Sequence, residues 1–142
     1  MKTSDKYDHD RAVQAFRGMA RQTITNSGGT FRRDTGAVVN PEHGYTVGVG
    51  KIADGVRVHR LGHGAWCDID RLTEALAQAW PTSAPATAQY VGTWVEDGLL
   101  YVDHVVVLPT LDLALACAER HGELAVYDNE KGEAVYLAEF GR

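Results

Sequence analysis

The sequence predicts an α+β domain: an antiparallel sheet built from hairpins, with about three helices packed mainly on one face. Three observations lead there. Asp97-Gly98 separates two β-like runs, 90–96 and 99–108, and both central positions of a type I′ hairpin turn need positive φ. Apolar residues recur at helical spacing in three stretches: Ala12, Val13, Phe16, Ala20 and Ile24; Leu72, Ala75, Leu76, Ala79 and Trp80; and residues 111–118. Local hairpins give antiparallel pairing, and helices between them must cover a sheet face.

The elements follow in order. The first helix is expected to start near Asp8 or Asp10, both good N-caps, with residues 1–8 disordered. Asn26-Ser27-Gly28-Gly29 stops it, and a short strand, 30–33, precedes a turn at Asp34-Thr35-Gly36. Strands are expected at 45–49 and 56–60, in a glycine-rich middle that holds Gly48, Gly50, Gly55, Gly62 and Gly64. Asp68 or Asp70 caps the second helix and Pro81 ends it. Residues 81–89 are small and proline-containing, which means a surface loop. Pro109 ends the 99–108 strand, Thr110 caps a third helix to His121, and Gly122 stops it. That helix is apolar nearly all round, so it is expected to be the most buried. A last hairpin pairs 124–128 with 134–140. The arrangement reads as helix–hairpin three times over, within one domain spanning 1–142.

Length and composition exclude several classes. A chain of 142 residues can bury roughly 70% of its unfolded surface, so it needs no metal or disulfide to fold. Two cysteines, Cys67 and Cys117, are not a disulfide framework. No apolar run reaches the ~18 residues of a membrane helix, and residues 1–10 lack a signal-peptide layout. A cytoplasmic protein is expected. Net charge is −5, unevenly spread: residues 1–71 hold 11 Lys/Arg against 8 Asp/Glu (+3), and residues 72–142 hold 3 against 11 (−8). Such asymmetry hints at a charged partner, and the expected acidic partner-binding residues are Glu96, Asp97, Asp128, Glu130 and Glu133.

The sharpest chemical constellation is His59, His63, Cys67 and Asp68. Imidazole and thiolate are ligands zinc prefers, but Gly62 and Gly64 argue against the helix that would gather them, and there is no CxxC or HExxH. No cofactor is expected, zinc being the one this cluster would take. Asp103-His104 interrupts the most apolar strand. Alternation sends Asp103 to one face and His104 to the other, so one of them meets the helix-covered side, and both are weak acid/base candidates. None of the three serines lies in a GxSxG elbow. The glycines at 28–29 and 44–50 lack the lysine and the strand-to-helix junction of a phosphate loop. Arg32, Arg33, Lys51, Arg57 and Arg60 could make a modest basic patch, yet the acidic isoelectric point argues against nucleic acid.

Two stretches carry a resemblance. Gly28-Gly29-Thr30-Phe31-Arg32-Arg33-Asp34-Thr35-Gly36 leads to Gly44-Tyr45-Thr46-Val47, and Gly92-Thr93-Trp94-Val95-Glu96-Asp97-Gly98-Leu99-Leu100-Tyr101-Val102-Asp103 leads to Ala125-Val126-Tyr127-Asp128. Together they resemble small uncharacterised proteins of actinobacteria and their phages. The resemblance implies a mobile-element setting, host cytoplasm, and action by binding a host or defence protein. It carries over no catalytic residue.

Three functions are therefore expected in decreasing order. The first is a non-catalytic binding or accessory protein acting through a protein partner, with no membrane and with an edge strand that could pair with a second copy. The second is a small-molecule or nucleotide-binding protein lined by Tyr45, Trp66, Trp94, Tyr101, His104 and Tyr127. The third is a small metal- or His-dependent enzyme using the His59/His63/Cys67 cluster.

Overall fold

The pleat of one strand organises the fold. In the computed structural model, which describes residues 3–26, 28–58, 68–81 and 89–142 with side chains from Gln14 onward, β4 (Leu99–Leu108) lies inside a six-stranded antiparallel sheet. Its hairpin partner is β3 (Tyr90–Glu96), joined through Asp97 at φ 53° and Gly98 at φ 73°. These are the two left-handed residues that a type I′ turn requires.

The other elements are α1 (Thr3–Asn26), β1 (Gly28–Arg32), β2 (Tyr45–Arg57), α2 (Ile69–Ala79), α3 (Leu111–Arg120), β5 (Ala125–Asp128) and β6 (Glu133–Tyr136), followed by a short 3₁₀ turn, Leu137–Phe140. The strand order is β1-β3-β4-β2-β5-β6. No described helix is long and apolar enough to cross a membrane.

The α+β antiparallel architecture is as the sequence predicts, with several corrections. Helix α1 starts at Thr3, so residues 3–8, expected to be disordered, carry helical backbone. The strands expected at 45–49 and 56–60 are one strand, β2, which pairs with β4 from Tyr45 to Arg57. Its glycines do not break it. The register shifts at Gly48/Gly50, Lys51/Ala53 and Asp54/Val56; at the first and third of these a glycine admits the irregular backbone of a bulge. Strand β1 pairs with β3, and β2 with β4 and β5, so the first helix–hairpin unit does not exist. Helix α3 is one-sided: Ala114, Leu115, Cys117 and Ala118 are buried, but Leu113 is 53% exposed. The last strand ends at Tyr136, where the chain turns into the 3₁₀ segment. Of the expected 81–89 loop, residues 82–88 lie outside the described residues.

The helices share one side of the sheet. Leu100 and Val102 of β4 join Phe31, Val91, Leu72, Leu76 and Met19 in a core beneath α1 and α2. Val106 and Leu108, on the same face of β4, line a second core with Val47, Val126 and the buried residues of α3. Fully burying a side chain such as Leu72 or Leu76 contributes about 1.5–3 kcal/mol. Polar contacts then fix the helices in place. The Asp68 carboxylate caps α2 by accepting from the Asp70 N–H at 3.0 Å. Thr110 caps α3 by accepting from the Leu113 N–H. The Trp80 indole N–H donates to the Arg33 carbonyl at 2.9 Å.

Thr23 of α1 is fully buried; its hydroxyl donates to the Met19 carbonyl at 2.8 Å and meets the Thr93 hydroxyl of β3 at 2.7 Å. This pair tests how α1 is held on the sheet. Thr23→Val strands the Thr93 hydroxyl in the core and should cost about 1–3 kcal/mol in urea unfolding. The double variant Thr23→Val/Thr93→Val should cost clearly less than the sum of the two single changes, giving a coupling of about 0.5 kcal/mol or more. Additive costs would show that the hydroxyls do not interact.

Candidate functional site

The sheet face opposite the helices is where unusual groups collect. On β4 it carries Tyr101, Asp103, Val105 and Val107; cross-strand register adds Tyr90, Gly92 and Trp94 from β3, and Gly28, Thr30 and Arg32 from β1. On the other side come Thr46 and Gly48 of β2, Tyr127 of β5 and Tyr136 of β6. None of the described helices packs on this face. Trp94 and Tyr101, directly opposite one another, stack with ring centroids 5.2 Å apart and an interplanar angle of 10°. Tyr127 and Tyr136 are exposed beyond them.

Next to the stacked rings, two residues along β4, lies Asp103, only 7% exposed. Gly48 makes room for it. A Cβ at that position would sit 3.3 Å from the Asp103 Oδ2 and 2.9 Å from the Glu123 Oε1. The two carboxyls therefore share the spot left by the missing side chain. Burial, and then the Glu123 carboxylate, push the Asp103 carboxyl up to about 6, against a smaller opposing pull from Lys51. Lys51 is itself engaged by Asp54 at 3.5 Å, and Arg32 by Asp34 at 3.1 Å. The face thus presents a flat aromatic surface beside two carboxyls whose charge its own described cations do not neutralise directly.

Asp103 and His104 are on opposite faces, as alternation requires, and so cannot act as one acid/base pair. Tyr45 and His104 face the helices, whereas Trp94, Tyr101 and Tyr127 face away from them, so the expected ligand lining does not converge on one pocket. Trp66 lies outside the described residues, as do His59, His63 and Cys67. Asp68, the remaining member of that cluster, is committed to the α2 cap. Among the described residues no group of three or more His, Cys, Asp or Glu is placed to hold a metal.

The acidic candidates also separate. Glu96 and Asp97 are at the β3–β4 turn, beside the Arg57 end of β2; Asp128, Glu130 and Glu133 are at the β5–β6 turn, beside its Tyr45 end. The ten residues of β4 put about 30 Å between them. Asp128 is buried and accepts from the Glu130 and Lys131 N–H groups, so it holds the turn. The basic patch is likewise divided: Arg32 is on the uncovered face, whereas the Arg33 guanidinium is near enough to affect His104 on the helix-covered face. Sequence reasoning missed Glu123. It has no motif, and its meeting with Asp103 depends on β2 bringing Gly48 between them.

The buried carboxyl gives a pH-dependent prediction. Its folded-state value, about 6, lies above the ordinary 3.8, so the native state holds the proton more tightly. Stability contributed by this group is present in acid and lost as pH rises through that window; above it the ionised carboxylate costs about 2–3 kcal/mol. Asp103→Asn should therefore raise stability by up to about that amount at neutral pH, with the gain vanishing near pH 4, as read by urea unfolding at both values. A gain of the same size at both would show that the carboxyl does not titrate abnormally. Comparison of the chain with family models, curated proteins and solved structures returns no match.

Proposed function

We propose that the chain is a non-catalytic binding module that takes a basic segment of a partner protein on its uncovered sheet face. The observation that carries this reading is the stacked Trp94–Tyr101 pair beside the Asp103 and Glu123 carboxyls. Flat aromatic rings suit a guanidinium or ammonium group, which is attracted to the ring face. The half-buried Glu123 carboxylate, with the buried Asp103 carboxyl behind it, then favours the same cation and disfavours phosphate. That combination favours a Lys/Arg-rich peptide over a nucleotide, and it asks for no nucleophile or metal. The phage and actinobacterial resemblance fits an accessory protein that binds a host or defence protein by masking a basic surface.

The test is a binding titration with a labelled arginine-rich peptide and its glutamine-substituted counterpart. The arginine peptide should bind, weaken with salt, and lose about tenfold or more in affinity on Trp94→Ala or Tyr101→Ala, since buried aromatic anchors dominate such interfaces. Glu123→Gln should weaken binding with little effect on folding. Equal binding of the two peptides, or aromatic variants that fold and bind like the parent, would overturn the proposal.

A further inference from the structure

His104 occupies a singular place on the helix-covered face. Along that face of β4, Leu100 and Val102 belong to the core under α1 and α2, and Val106 and Leu108 to the core under α3. His104 falls between them and belongs to neither. Its cross-strand neighbour on β2 is Gly50, where a Cβ would sit 3.5 Å from the His104 Cδ2. The Cδ2 edge of the ring therefore faces β2, and the Nδ1 edge faces the other way, toward β3 and β1.

Arg33 comes from that direction. Phe31, Val91 and His104 form one cross-strand row. Arg33 opens the turn that follows β1, and its N–H donates to the Gln89 carbonyl at 3.0 Å, beside the Arg32–Tyr90 pair. The Trp80 indole, donating to the Arg33 carbonyl, fixes its backbone. The guanidinium is close enough that, after burial, it is the next cause holding the His104 imidazole below its ordinary value.

Among the described residues, two buried side-chain nitrogens have no hydrogen-bond partner: Arg33 Nε and His104 Nδ1. A buried donor left unmade is costly, and native structures hold few. Here both fall in one seam. Arg33 Nε is always an N–H donor, and Nδ1 of a neutral imidazole can be one.

We propose that Arg33 and His104 form an oxyanion subsite in the seam between the two cores, receiving the phosphate or carboxylate group of a small ligand. Two neighbouring nitrogens that can donate, one of them in a guanidinium, match the acceptors of such a group. The aromatic stack is on the opposite face, so this subsite is independent of the peptide-binding surface and either can fail without the other.

The test follows the imidazole nitrogens of the nitrogen-labelled full chain by NMR at neutral pH, with His104 assigned by His104→Gln. Inorganic phosphate and acetate are titrated separately, with chloride holding ionic strength. A saturable shift of the His104 signals with either anion, while His43 and His121 stay in place, supports the subsite; which anion acts tells phosphate from carboxylate. Arg33→Ala should weaken that binding about tenfold or more. Arg33→Lys, which keeps the charge but not the Nε–H, should fold like the parent and still bind more weakly. No shift of His104 with either anion, or Arg33 variants that fold and bind unchanged, would overturn the subsite.

Discussion

The rest of the structure depends on the two-residue period of β4. Each of its ten residues is committed to one face. Even-numbered positions must suit three helices, and odd-numbered positions must suit a face no described helix covers. A one-residue slip would exchange every one of these assignments. The Asp97-Gly98 turn prevents that slip, because its left-handed pair sets the register of β3 against β4. Trp94 then meets Tyr101, and Thr93 is placed under Thr23. Helix α1, the aromatic stack and the Arg33–His104 seam all inherit their positions from this hairpin.

The second constraint is the length of β2. A regular strand of that extent beside β4 would present a side chain at every second position of the uncovered face. Bulges and glycines alter this. Gly48 supplies a gap into which two carboxyls lean, and Gly50 leaves the His104 ring uncrowded on one edge. The same glycines that weaken β2 as a strand thus shape both faces at the middle of β4. The third bulge contains Gly55 at φ 88°, a backbone state that glycine reaches without steric penalty.

What was legible in the sequence was what local chemistry controls. The Asp97-Gly98 hairpin, the Asp68 and Thr110 caps and the stop at Pro81 depend on residues within a few positions of one another. The opposition of Asp103 and His104 could be read from alternation alone. The glycine-rich middle misled because a glycine run signals a break or a bulge equally well, and only the partner strand decides which. Apolar content misled at α3, where the exposed Leu113 and Ala116 made a one-sided helix read as buried all round. The acidic second half suggested one charged surface. In the fold β2, from the first half, separates β4 from β5, and the acidic turns go to opposite ends. Glu123 escaped notice, and Arg33 was read only as part of a basic patch, because their partners are distant in sequence and set by strand order.

Asp103 and His104 break the apolar rule of the same strand at adjacent positions, one on each face. Packing alone would be satisfied by valine at either, as at Val105 and Val106. Instead one position holds a buried carboxyl pressed against another, and the other holds an imidazole with an unpartnered nitrogen beside a guanidinium with the same defect. Both arrangements lower stability, and local rules that fail in an otherwise consistent fold are expected where a protein meets something else. The charges are opposite in kind: carboxyls on the uncovered face, nitrogen donors on the helix face. A single ligand cannot satisfy both, because the sheet lies between them. The two proposed points of recognition, a cation-binding surface and an oxyanion-binding seam, are therefore independent of one another, separated by the thickness of the sheet.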